Sequence, residues 1–160
     1  MNKISILMGS QSDLETVNET INTLKEFKAD FEVKVLSAHR TPKEVAQFVE
    51  GAPKKGTKVF IAAAGMSAAL AGVVAAHTTL PVIGIPIETK NLKGLDSLLS
   101  TVQMPPGIPV ACMTIGKAGA KNAALFALEI LGIGDAKIRA KLVNYKKQMR
   151  LKIKQTKIKL

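Results

Sequence analysis

Tryptophan is absent from this chain, tyrosine occurs once, and aromatic residues make up only 4% of it. A flavin-type ring would find little to stack against, and the core has to be assembled from Ala, Val, Ile and Leu. Hydrophobic residues reach 47% of 160 residues, enough for one well-packed domain and far from the composition of a disordered chain. Cysteine is equally scarce. Cys112 is the only one, so no intrachain disulfide can form, and the apolar stretch Ile108–Ile115 around it suits a small packed hydrophobe. One Cys and two His, His39 and His77, leave too few ligands at metal-binding spacing, so no metal is expected. Long apolar runs are missing too. No stretch reaches the ~20 residues of a membrane-spanning helix without a Gly, Pro or polar break. The start MNKISILMGS lacks the apolar core and cleavage site of a secretory leader. The expectation is a cytoplasmic protein with no membrane partner.

Acids are missing from one region only. Ten of the 23 basic residues lie between Ala136 and Leu160, where no Asp or Glu occurs, leaving 13 basic against 12 acidic residues elsewhere. The net charge of +11 is therefore a property of the tail. Tyr145 is its only aromatic, so base stacking has little to work with, and a nucleic-acid partner is not expected.

What is present is a regular alternation of apolar runs and helical patterns. Ile4–Met8, Phe31–Leu36, Val59–Ala63, Pro81–Ile87 and Val110–Ile115 read as five strands. Between them, Asp13 opens a helix with Leu14, Val17, Ile21 and Leu24 at helical spacing. Thr41-Pro42 reads as an N-cap followed by Pro at the first helical position, with Glu44 in the first turn. Ala-rich helices are predicted up to Ala76 and over Ala118–Leu131, and a short one over Asp96–Val102. Gly132-Ile133-Gly134 should end the long helix, and Asp135 should open a basic terminal one. Short connections between strands and helices predict one α/β domain, a three-layer doubly wound parallel sheet of flavodoxin-like order. Its core is residues 1–134, followed by a basic C-terminal helix or tail at 135–160.

Ligands of such a sheet bind beyond the carboxyl ends of its strands, and three unusual segments fall there. Gly9-Ser10-Gln11-Ser12-Asp13 offers hydroxyls and helix-start amides for a phosphate and a carboxylate for ribose hydroxyls, although Ser and Asp also cap helices. It matches neither the P-loop nor the dinucleotide fingerprint. In Ser37-Ala38-His39-Arg40-Thr41-Pro42, Arg40 can hold an anion with two parallel hydrogen bonds, and His39 brings an imidazole, the side chain best suited to giving and taking a proton. Side by side on a ligand-facing loop they point to proton-transfer chemistry. His77, at a helix end, reads as a surface or capping residue. The Gly- and Ala-rich segment from Gly65 to Gly72 allows close approach of the backbone to a flat ligand, or simply tight helix–sheet packing.

Taken together, MGSQSD (Met8–Asp13), SAHRTP (Ser37–Pro42), LPVIGIPI (Leu80–Ile87), GLDSLLSTVQMPPGIPVA (Gly94–Ala111) and KNAALFA (Lys121–Ala127) resemble the carboxyaminoimidazole ribonucleotide mutases, the bacterial type of phosphoribosylaminoimidazole carboxylase. The resemblance implies a step of purine biosynthesis, the conversion of N5-carboxyaminoimidazole ribonucleotide to 4-carboxy-5-aminoimidazole ribonucleotide, without metal, ATP or organic cofactor. It implies His39 as general acid/base and Ser10, Asp13 and Arg40 as substrate-binding residues, with Ser12 and Ser37 holding the ribose phosphate. Ala38, Gly65, Ser67, Ala69 and Leu70 complete the expected substrate site, and a homo-octamer with shared sites is implied. There is one departure: where the mutases have a histidine after the third strand, this chain has Ala69. The direct carboxylases, which use aminoimidazole ribonucleotide and CO2, lack that histidine and resemble this chain at Ser67, though not at Met66 or Arg40. Direct carboxylation is the alternative, and a non-catalytic nucleotide- or nucleic-acid-binding module is the alternative of another class.

Overall fold

The computed structural model describes residues 2–158, so the last two residues of the expected tail lie outside the described ones. Its elements run β1 (Lys3–Met8), a 3-10 turn (Gln11–Asp13), α1 (Leu14–Glu26), β2 (Asp30–Val35), α2 (Pro42–Gly51) and β3 (Thr57–Ala64). They continue with α3 (Leu70–Ala76), β4 (Val82–Pro86), α4 (Leu95–Val102), β5 (Ala111–Cys112), α5 (Gly116–Gly134) and α6 (Ala136–Gln155). The sheet order is β2-β1-β3-β4-β5 with every pairing parallel, the flavodoxin-like order.

Alternation along each strand explains the layers. On β3, Val59, Ile61 and Ala63 face a cluster with Val17 and Leu24 of α1 and Ala120, Ala123, Ala127 and Leu128 of α5. Phe60 and Ala62 face the other way, toward Val45 and Val49 of α2 and Leu70 and Val74 of α3. The central strands are buried on both faces, which is why they read as continuous apolar runs. The small residues of α5 let it lie close to the sheet. Gly84 of β4 plays the same part on the opposite face, where an added Cβ would collide with Thr101 of α4 and press on Ala71 of α3.

α4 is built inside out. Ser97 and Thr101 are buried, and the Ser97 hydroxyl donates to the carbonyls of Ile87 (2.8 Å) and Gly94 (2.9 Å), while Thr101 donates to that of Ser97 (2.7 Å). Leu95, Leu99 and Val102 lie about half exposed on the outer side, with Leu92 just before them.

Two expectations are corrected. The fifth strand pairs only over Ala111–Cys112, not Val110–Ile115. As an edge strand it has one neighbour, and the chain beyond Met113 turns away to start α5, whose Gly119 packs on the Thr114 carbonyl. α5 does not stop at Leu131 but continues through Gly132-Ile133-Gly134, which form its last residues. A left-handed glycine cap is not needed there, because Arg139 of α6 donates to the carbonyls of Gly132 (3.0 Å) and Ile133 (2.7 Å). Asp135 alone separates the two helices, and its carboxylate accepts from the Lys137 and Ile138 amides, the cap expected of it. The first half of α6 is anchored through Ile138, Leu142 and Tyr145, the last tilted against Phe27 at 5.6 Å between ring centroids. Its basic second half lies exposed.

Candidate active site

The loops after β1, β2, β3 and β4 enclose a cavity of about 730 Å³ at the carboxyl edge of the sheet. Adjacent strands lie about 4.8 Å apart, so these four ends span roughly 14 Å, the scale of a mononucleotide. His39, Ser10, Ser12, Asp13, Ser37, Ala38, Arg40, Gly65, Ser67, Ala69 and Leu70 all line it. Its wall also includes Ile87, the last residue of the LPVIGIPI stretch, and Glu88 and Thr89, which no sequence motif marks. Only the strand-edge rule, applied to β4, points to them.

The first loop is a capping box. Ser10 donates its amide to Asp13 Oδ2 (3.0 Å), and the Ser10 hydroxyl accepts from the Ser12 amide (3.3 Å) and hydroxyl (3.0 Å). Asp13 is only 8% exposed. Burial raises its pKa, against hydrogen bonds from Ser10, Ser12 and Gly9 and the nearby Arg40 charge, which lower it.

The second loop closes on itself. The Thr41 hydroxyl accepts from the Ser37 amide (2.9 Å) and donates to the Ser37 carbonyl (3.0 Å). Thr41 thus occupies the N-cap position of α2, but its side chain makes no capping bond there, contrary to expectation, because the hydroxyl is engaged by its own loop. Arg40 fastens the two loops: Nη2 donates to the Gly9 carbonyl (2.7 Å) and Nε to the Ser37 hydroxyl (3.3 Å). Among the described residues nothing accepts from its Nη1, which is open to an anion. His39 is exposed and makes no side-chain hydrogen bond among the described residues, so its ring is available to a ligand.

The third loop is tight and strained. Ala68 and Ala69 donate their amides to the carbonyls of Met66 (2.8 Å) and Ser67 (2.7 Å). Met66 has φ 58°, the left-handed region, which costs a residue with a Cβ roughly 1–2 kcal/mol. Gly65 passes so close to Thr89 that an added Cβ would stand 3.0 Å from its methyl. Thr89 is itself held by Asp96 of α4, at 3.3 Å to both carboxylate oxygens.

Two polar candidates lie elsewhere. His77 caps the C-terminal end of α3 and meets Glu50 at 3.0 Å, away from the cavity. Cys112 is half-buried, and burial raises its pKa, which keeps the thiol protonated. Among the described residues no group of three or more His, Cys, Asp or Glu gathers to hold a metal.

Comparison with known proteins agrees with this geometry. Residues 3–152 match the family model described as AIR carboxylase. The N5-carboxyaminoimidazole ribonucleotide mutase of Pyrococcus abyssi is 54% identical over 150 residues, covering 94% of this chain and 85% of that protein. That of Saccharolobus solfataricus is 49% identical over 158 residues, covering 99% of each. The crystal structure of Treponema denticola PurE superposes with a TM-score of 0.86 at 28% identity, over 96% of this chain and 94% of that one. A shared fold, a match over nearly the whole length and about half the residues identical lead to one assignment: the chain belongs to the AIR carboxylase family.

Proposed function

We propose that this enzyme is a mutase of purine biosynthesis that converts N5-carboxyaminoimidazole ribonucleotide to 4-carboxy-5-aminoimidazole ribonucleotide. The observation that carries the reading is near-full-length similarity to relatives of that name, at about half identity, in a chain whose cavity joins His39 to an anion-binding Arg40.

The residues divide the work. Arg40, Ser12 and Ser37 hold the ribose phosphate, and Asp13 with Ser10 engages the ribose. His39, as imidazolium, gives its proton to the carbamate nitrogen. The bond from that nitrogen to the carboxyl carbon then breaks, its electrons staying on nitrogen, and releases CO2 beside aminoimidazole ribonucleotide. The Gly65–Leu70 segment has the small side chains to leave room for CO2 and the amides to orient its oxygens. The ring carbon attacks CO2, and neutral His39 removes the proton left on that carbon. The imidazole ends as it began, so one base serves both half-reactions without a cofactor.

The reading extends to a homo-octamer acting in the cytoplasm. The half-exposed stripe of Leu92, Leu95, Leu99 and Val102 is apolar surface that an assembly would cover. No helix among the described residues is long and apolar enough to cross a membrane.

The direct carboxylase is the second reading, favoured by Ser67 and by Ala69 in place of a histidine. Formation of the 4-carboxy product is followed in parallel from N5-carboxyaminoimidazole ribonucleotide and from aminoimidazole ribonucleotide with bicarbonate. Efficient turnover of the first alone is expected. Efficient turnover of the second at low bicarbonate would replace the mutase with the carboxylase.

A further inference from the structure

We propose that Met66 is a positioning residue that covers the carboxyl end of the cavity and holds CO2 beside the ring between the two half-reactions. The inference rests on the mutase reading above.

From Gly65 to Ala69 every residue but one is Gly, Ala or Ser, and the exception is Met66. It lines the cavity, and it is 66% exposed, so its side chain is not committed to the core. Its φ of 58° is one that glycine adopts freely and methionine does not. The turn therefore does not call for methionine; a glycine would form it with less strain. What methionine brings is a long, unbranched, apolar side chain that bends easily, placed at the cavity mouth.

The intermediate explains why such a side chain is useful there. CO2 carries no charge and accepts hydrogen bonds weakly, so neither Arg40 nor the loop amides can retain it strongly. Ser67 and Ala69 make room for the molecule but are too small to close over it. Each molecule of CO2 that escapes ends the cycle at aminoimidazole ribonucleotide, a lost turnover. An apolar flap keeps CO2 in and water out during the interval in which the ring carbon must attack.

The test is a single turnover of N5-carboxyaminoimidazole ribonucleotide in carbonate-free buffer by the parent, Met66→Gly and Met66→Leu. The 4-carboxy product and released aminoimidazole ribonucleotide are both quantified, with loss of the carbamate in a protein-free control subtracted. Met66→Gly is expected to raise the ratio of released ribonucleotide to product roughly threefold or more. Met66→Leu keeps the apolar volume and should leave the ratio close to that of the parent. Thermal midpoints serve as the folding control, and Met66→Gly should melt no lower than the parent because it relieves the strained φ. An unchanged ratio in Met66→Gly, or an equal rise in Met66→Leu, overturns the assignment and leaves the mutase reading intact. A parent that forms no 4-carboxy product from this substrate overturns the mutase reading, and this assignment with it.

Discussion

Asp13 combines burial with a direct place in the cavity wall, and that combination has a pH signature. Its folded-state pKa lies above the ordinary 3.8 because burial outweighs the hydrogen bonds and the Arg40 charge that lower it. For a carboxyl raised in this way, its contribution to stability is full below the ordinary value and is lost as pH rises through the folded one. Asp13→Asn cannot ionise and keeps a side-chain oxygen to accept the Ser10 amide. Its thermal midpoint should exceed the parent's at pH 7, and the difference should shrink as the buffer is taken down toward pH 4. A difference that stays constant or grows in acid would show that ionisation is not what burial opposes. His39 is the contrasting case, exposed and without a side-chain partner among the described residues. His39→Asn should abolish turnover, leave ribonucleotide binding by calorimetry largely intact, and change stability by no more than about 0.5 kcal/mol. Equal loss of binding and turnover would reduce His39 to a binding residue.

Among the elements, α4 shows best what a sequence hides. The sequence predicts a short helix here correctly, but hydropathy alone would turn Ser97 and Thr101 to solvent and Leu95, Leu99 and Val102 to the core. The chain does the reverse, because the two hydroxyls find main-chain carbonyls to bond and Gly84 leaves space only for a small neighbour. That orientation is a tertiary fact with no local signal. The central strands are legible because burial on both faces demands continuous apolar runs. The three loops are legible because Gly9–Asp13, Ser37–Pro42 and Gly65–Gly72 interrupt such runs with polar or small residues. The polar residues after β4, Glu88-Thr89-Lys90-Asn91, read as an ordinary solvated loop with no His, Arg or glycine turn among them, so the fourth wall of the cavity is not legible. The end of α5 misleads because its glycines suggest a left-handed stop, whereas Arg139, from the next helix, satisfies the last carbonyls. Replacing Leu95 and Leu99 together with Ser should leave the fold intact, since both already face outward. It should shift the mass by light scattering from the proposed octamer to smaller species. An unchanged octamer would mean that copies meet elsewhere.

At the scale of the whole molecule, site and charge are kept apart. The cavity lies at one edge of the sheet, while the excess of Lys and Arg lies on α6, whose anchored half ends at Tyr145. Among the described residues one ion pair joins the far half to the body, Lys146 to Glu129 at 2.8 Å; it is largely exposed and worth about 1 kcal/mol at most. Deleting Lys146–Leu160 removes seven of the 23 basic residues and takes the net charge from +11 to +4. Steady-state kinetics of that truncation should match the full chain; loss of activity in a truncation that still assembles would show that the tail reaches a site. The lopsided charge also restricts geometry. Like-charged ends repel until they are separated by about the screening length, ~10 Å at 0.1 M salt. A ring or shell of copies that splays its basic ends outward avoids this repulsion, whereas one that gathers them around a common axis carries it as a cost that added salt or a bridging anion lowers.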